Sequence, residues 1–448
     1  MLGRRLGLAA LASAVSLLAG CGSVVSPSET TGNQLTVYSA LPLEGPNAGI
    51  GREIEGGEKL ALSEAGGRVG SYRVSYASLD DVNPRNGQTS PGESATAAKQ
   101  AAQDTSTIAY IGDYSSAATA VSLPLMNEAG ILQVSPASPY AGLTASHDAG
   151  QDEPERFYPS GKRTFVRLSP GDPVQAAAQA RLMRALGVHS VYVLDDQDPF
   201  QIPLASLVGE RATAAGVALA GHDSIPTTAG TNFSGEVEKI LASHVQAVFL
   251  AGGPGPGTAA LWKRLHRADP QLLLLGPSSL ATEEFTSVIG TAGDQTYLTT
   301  PLLARSVYPP SAQRVLAAYR KQFHAEAGPS VLYGYEAMSA ILAAIRGAGV
   351  HGNDRPDVVK AFMATHDRDS VLGRYSVLGN GETTLSVYGV DRVDAGSPVF
   401  WRAIDTAAPA SAAPAAPASG QGAAGWAQAS PAERSRSTRL KRSTPPSS

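Results

Sequence analysis

Cysteine is almost missing from this chain. Cys21 is the only one in 448 residues, so no intrachain disulfide can form. Histidine is sparse, and none of the eight stands at H-x-x-x-H or a comparable metal-ligand spacing. No G-x-S-x-G elbow occurs, which removes the commonest serine-hydrolase signature. Past residue 20 no apolar run is long enough to cross a bilayer. The charge is balanced, with a formal net of −4 and no basic stripe in the globular part, which argues against nucleic-acid binding. What remains, 43% hydrophobic and 17% charged residues, suits a globular protein too long for one ordinary core, so two domains are expected.

The lone cysteine has a telling position. Arg4 and Arg5 precede an apolar, Ala-rich stretch from Leu6 to Leu18, and Leu18-Ala19-Gly20-Cys21 resembles a bacterial lipobox. Residues 1–20 are therefore expected to be an export signal, with Cys21 the lipidation site and residues 21–34 a flexible tether. The alternative is an ordinary secretory signal, or a buried core cysteine. At the other end, residues 405–448 are rich in Ala, Pro, Ser and Gly, then basic from Arg434 to Arg442. They are expected to be a disordered tail that serves solubility or contacts wall polymer or anionic lipid.

Between these ends strand and helix patterns alternate, which predicts an α/β fold with parallel sheets. The organising stretch is Thr107 to Ser138. A short apolar strand breaks at Gly112-Asp113, a helix runs to Glu128, and a second strand stops at Pro136. Ligands of such sheets bind beyond the carboxyl ends of the strands. Ser115 and Ser116 then stand at a helix start, where free N–H groups and hydroxyls suit an anion, although both could merely cap the helix. Residues 140–163 interrupt the rhythm and are expected to form an exposed insertion loop. Asp80-Asp81 and Asp195-Asp196 are paired acids at strand ends, where turn formation is commoner than acid–base chemistry. Gly255-Pro256-Gly257-Thr258-Ala259-Ala260 matches a dinucleotide fingerprint in form. However, Pro254 and Pro256 remove donors a pyrophosphate needs, and no acid ends the next strand. No enzyme and no cofactor are expected.

Several segments in fixed order resemble the substrate-binding lipoproteins of branched-chain amino acid ABC transporters, with a type I periplasmic-binding fold. They are Leu43-Glu44-Gly45-Pro46, Leu79-Asp80-Asp81, Tyr110-Ile111-Gly112-Asp113-Tyr114-Ser115-Ser116 and Asn127-Glu128-Ala129-Gly130-Ile131. Val134-Ser135-Pro136-Ala137, Leu194-Asp195-Asp196, Leu372-Gly373-Arg374-Tyr375 and Asn380-Gly381-Glu382 follow. The resemblance spans about Leu35 to Trp401. It implies two Rossmann-like lobes joined by three crossovers, residues 35–168 plus 302–372 and residues 169–301 plus 373–404, closing on a ligand. It implies that Ser115 and Ser116 hold a ligand carboxylate and that Ala137 and Ser138 add contacts. Asp172 would hold an ammonium and Phe200 would cover the ligand; on the residues alone, Asp172 could instead cap the helix after it. Ile50, Pro139, Pro254 and Ser278 depart from the family pattern and leave the ligand open among amino acids, small amides and organic acids. The resemblance further implies a monomer anchored on the outer face of the cytoplasmic membrane, delivering a small molecule to an ABC permease. A sensor of the same fold serving a membrane signalling partner is the alternative.

Overall fold

The computed structural model describes residues 28–30, 32–147 and 149–408. The expected export signal, Cys21 and residues 409–448 lie outside the described residues.

The first lobe begins with β1 (Gln34–Leu41), α1 (Ala48–Glu64), β2 (Arg68–Val69) and β3 (Tyr72–Asp80). A small ladder of β4 (Val82–Asn83) and β5 (Gln88–Thr89) leads to α2 (Pro91–Gln103), β6 (Thr107–Ile111), α3 (Ser116–Glu128), β7 (Leu132–Ser135) and β8 (Phe165–Arg167). Five of its six strands, in the order β3-β1-β6-β7-β8, run parallel, and β2 pairs antiparallel at the edge. Alternation along β1 sends Leu35 and Val37 to one face and Tyr38 and Ala40 to the other. Both faces are therefore buried, as a parallel sheet requires.

The second lobe starts at α4 (Asp172–Ala185), followed by β9 (Ser190–Asp195), α5 (Ile202–Ala214), β10 (Ala218–Ser224) and α6 (Ser234–Ala242). Next come β11 (Ala247–Ala251), α7 (Pro256–Ala268), β12 (Leu273–Gly276), α8 (Glu283–Thr286) and β13 (Thr296–Thr300). The chain then returns. Helices α9 (Pro310–Phe323), α10 (Ser330–Ala348) and α11 (Arg355–Met363) pack into the core of the first lobe. Gly57 of α1 faces the Val331 carbonyl and Gly334 of α10 faces the Ile54 carbonyl. A Cβ at either would meet that oxygen at 2.1 and 1.9 Å, so both glycines allow the helix backbones to touch. After the short pair β14 (Arg368–Asp369) and β15 (Arg374–Tyr375), the chain re-enters the second sheet as β16 (Val387–Asp394) and β17 (Ser397–Asp405). That sheet has the order β10-β9-β11-β12-β13-β16-β17, with β16 and β17 antiparallel.

Four local expectations change. Pro42 to Gly51 reads in the sequence as a Gly/Pro loop, yet helix α1 starts within it at Ala48, because neighbouring packing outweighs the weak helix propensity of glycine. The stretch 140–163 is not an exposed insertion: Tyr140, Leu143, Phe157 and Tyr158 form an apolar cluster with Leu123 and Phe165. Its acids hid that cluster, yet Glu153 is itself buried and bonded to the Tyr140 hydroxyl. The pattern of Tyr375 to Val377 and Leu385 to Arg392 predicts a hairpin around Gly379-Asn380-Gly381; what forms is a Val377–Thr383 bridge, and Tyr375 and Val377 pack in the first lobe's core. The tail begins later than residue 405, since Asp405 ends β17 and Arg181 donates to the carbonyls of Asp405 and Thr406 at 2.6 Å each.

Candidate functional site

The carboxyl ends of the strands in both lobes carry the candidate residues, and the chain passing between the lobes brings them together. Helix α3 opens this region. Ser115 is its N-cap: the Oγ accepts from the Ala118 N–H at 3.2 Å, as the capping reading expects. Ser116 is the first helical residue. Its Oγ accepts from the Tyr140 N–H at 3.2 Å, which ties the helix start to the loop after β7. The first N–H groups of α3 have no preceding turn to bond and carry the positive end of the helix dipole.

The loop after β7 is held from below. The Ala137 N–H donates to Ser135 Oγ at 3.2 Å, and its carbonyl accepts from Ser169 Oγ at 2.9 Å. Ser138 is fully buried, with its Oγ 2.6 Å from Thr119 Oγ1 and donating to the Asp113 carbonyl at 2.9 Å. Its hydroxyl thus fixes the loop from inside. Tyr140 then reaches across the lobes, and Phe200, on the loop after β9, meets its ring edge-on at 5.1 Å and 88°. A recess of about 380 Å³ adjoins this contact, lined by Ala117, Ala120, Val121 and Phe157 together with Phe200.

Asp172 stands at the first crossover. The N-cap of α4 is Gly171, and Asp172 is the first helical residue, so the capping alternative does not describe it. Its N–H donates to the Pro139 carbonyl at 2.8 Å. Burial pushes its carboxyl up to about 8, against the opposing pull of the Arg167 charge and a hydrogen bond from the Ala141 N–H. Glu382 adds a smaller upward push. Next to it on α4, Gln175 accepts from the Tyr388 hydroxyl at 2.8 Å and from Ser278 Oγ at 3.3 Å. Ser278, one of the departures from the family pattern, therefore brings a hydroxyl to this end of the site and no charge. Pro254 is exposed on the loop after β11, and Ile50 is half-buried in α1.

Sequence reasoning missed the residues that hold the site together. Arg167, fully buried at the end of β8, donates through Nη1 to the carbonyls of Ser138 at 2.5 Å and Tyr140 at 2.8 Å. It pairs with Glu382 of the third crossover, which also accepts from Thr144 Oγ1. A lone arginine ending an apolar strand was the available signal. The paired acids resolve mainly as turns. Asp80 accepts from the N–H groups of Leu43 and Val82, Asp195 from Gln197, and Asp196 from Asp198 and Gly253. In the glycine-rich loop, a Cβ at Gly257 would meet the Thr227 carbonyl at 1.9 Å, so that glycine serves chain packing. Among the described residues no three His, Cys, Asp or Glu side chains gather as a metal site.

Two α/β lobes joined by three connections define a two-lobed binding-protein fold, and among the described residues no catalytic constellation gathers. The chain belongs to the periplasmic binding protein family, whose profile matches residues 39–397. Among curated relatives, Leu/Ile/Val-binding protein homolog 3 of Brucella melitensis is 25% identical over 370 residues, covering 82% of this chain and 93% of that protein. The Leu/Ile/Val/Thr-binding protein of Salmonella typhimurium is 21% identical over 84% of this chain and 95% of its own length. A leucine-binding protein from Thermotoga maritima superposes with a TM-score of 0.67 at 22% identity, covering 83% of this chain and 99% of that one. An ABC transporter solute-binding protein from Rhodopseudomonas palustris in complex with p-hydroxybenzoic acid reaches 0.66 at 18% identity, covering 83% and 97%. At these identities the structural matches establish the type I periplasmic-binding fold.

Proposed function

We propose that this protein is a lipid-anchored, extracytoplasmic receptor that closes on an amino-acid-like carboxylate and delivers it to an ABC importer. The observation that carries this reading is the meeting of opposite preferences at the junction. The start of α3 at Ser115 and Ser116 favours an anion, and Asp172 lies across the crossover with Phe200 as a cover. Ala137 and Ser138 shape the floor through their backbone. The names of the relatives support both the transport role and the class of ligand, since they span branched-chain amino acids and aromatic acids. A thermal-shift screen of the purified protein with amino acids, their amides and hydroxybenzoates, followed by calorimetry, tests it. One compound is expected to bind at one per chain, and Phe200→Ala is expected to weaken it about tenfold, roughly 1.4 kcal/mol. A screen in which no small carboxylate binds rejects the reading.

The anchor has a separate test. Cys21→Ala is expected to move the protein from the membrane fraction to the medium, because one thiol carries the lipid. Unchanged membrane retention of the variant would remove the anchor from the proposal.

A further inference from the structure

Helix α3 presents two faces. Ala118, Thr119, Ser122, Leu123 and Met126 are buried in the first lobe. Ala117, Ala120, Val121 and Pro124, spaced i, i+3, i+4 and i+7, form an apolar stripe on its outer flank and are only half-buried. Phe157 walls this stripe from the first lobe, and Phe200 reaches it from the second. The recess they enclose, about 380 Å³, therefore straddles the junction. Its one charged lining group, Arg156, is held by Glu153 at 2.5 Å. The walls offer apolar and aromatic contact and no unpaired charge, which suits a bulky apolar side chain better than a polar ligand.

The chain itself carries such a side chain. Residues 409–448 hold one aromatic, Trp426, among small and polar residues, with Leu440 the only other large apolar side chain. Segments of that composition have few aromatics, and tryptophan is the residue that most often anchors a contact.

The place where the chain leaves the fold puts Trp426 within reach. β17 runs antiparallel to β16, and β16 antiparallel to β13, which shares its direction with β12, β11 and β9. β17 thus ends on the same edge of the second sheet as β9, whose following loop bears Phe200. Five strand spacings separate the two strands, about 24 Å. Residues 409–425, rich in Ala, Gly and Ser, span about 20–25 Å r.m.s. as a flexible linker, and their three prolines lengthen that somewhat. Linker and span match, the condition under which tethering gives the highest effective concentration, in the millimolar range. Charge agrees with distance. Beyond Trp426 come Arg434, Arg436, Arg439, Lys441 and Arg442 against a single acid, Glu433, while Asp196 and the exposed Asp198 stand on the loop of Phe200.

We propose that the C-terminal segment folds back and seats Trp426 in this recess, against the outer stripe of α3 and Phe200. The seated indole touches both lobes at once. It therefore straps the closed arrangement from outside, apart from any hold a ligand exerts within the cleft.

The test needs no organic ligand, so its outcome is independent of the proposed transport role. The full-length protein is labelled with fluorinated tryptophan and observed by fluorine NMR. Trp262, Trp401 and Trp426 each give a resonance, and Trp426→Phe identifies the last. Trp262 is fully buried and reports that the fold is intact. A soluble gadolinium agent is expected to broaden Trp426 at least about twofold less than in a synthetic 409–448 peptide, since a millimolar contact is at least half formed at a millimolar effective concentration. Ala120→Arg puts a long charged side chain in the recess. It should return Trp426 to the peptide value and leave the Trp262 resonance in place. Should that variant disturb α3, Phe200→Ala, on the opposite wall, supplies the same comparison. Dilution should change nothing, because the contact lies within one chain. Broadening in the wild type equal to that of the peptide overturns the proposal, and so does protection that survives both substitutions. Protection that fades on dilution assigns the tail to a second copy and overturns it as well.

Discussion

Arg167→Ala is expected to cost about 3–5 kcal/mol of stability, the largest loss foreseen for any single side chain here. The guanidinium is fully buried and has five oxygen acceptors around it. Those are the carbonyls of Ser138 and Tyr140, Thr144 Oγ1 at 3.1 Å, and both carboxylate oxygens of Glu382. Removing it leaves the carbonyls without donors and Glu382, about one-fifth exposed, facing a void without its counter-charge. The loss also reaches the site, because the first crossover, the third crossover and the loop of Ser138 all meet on this one group. Urea denaturation checks the stability, and calorimetry with the ligand found by screening checks the affinity. Glu382→Gln should cost less, since its carboxamide can still accept from Arg167 and it sits partly in water. A loss under about 1 kcal/mol in Arg167→Ala would mean the crossovers are held by other contacts.

The second large effect is in the pH dependence set by Asp172. An ordinary aspartate ionises near 3.9, while burial raises this one to about 8. Between those values the folded protein keeps a proton that the unfolded chain has lost. Stability must then fall as pH rises through that window, by up to about 1.4 kcal/mol per unit. From pH ~5 to pH ~8 the wild type should therefore lose about 3–4 kcal/mol more than Asp172→Asn, which has no proton to keep. Other buried acids, Glu53 and Glu58 among them, titrate in the same range, so the comparison with the variant isolates Asp172. Parallel stability profiles for the two proteins would defeat the prediction. The same group reports on the ligand. An ammonium placed against Asp172 draws its proton off, so an amine-bearing ligand should bind more tightly as pH rises toward 8 and release a proton on binding. A plain organic acid should show neither effect. Calorimetry in buffers of different ionisation enthalpy distinguishes the two ligand classes.

Local pattern was enough for the architecture and for the helix start at Ser115 and Ser116. The alternation of buried strands with helices is written in short apolar runs and glycine stops, and each signal is complete within about a dozen residues. The helix start at Ser115 and Ser116 is of the same kind, because a cap and its helix are neighbours in sequence. Asp172 was legible as an acid between Gly171 and Pro173. Its buried, proton-retaining state was not, because that depends on Tyr140–Ala141 and Arg167 closing around it.

The remaining features were decided only by tertiary contact. The stretch 140–163 reads as polar because its acids are counted one by one; folded, Glu153 is bonded to Tyr140 and the aromatic residues between face inward. Asp80 and Asp81 are the same residue type side by side, yet one oxygen of Asp80 accepts two backbone N–H groups while the side-chain oxygens of Asp81 are buried without a side-chain partner. Strand alternation separates their faces. Arg167 and Glu382 lie 215 residues apart, and no local pattern can pair them. The sequence by itself determined a doubly wound, two-lobed binding protein with an anion-favouring helix start. The tertiary structure decided which charges are buried, because burial is a property of what packs against a residue and not of the residue's neighbours in the chain.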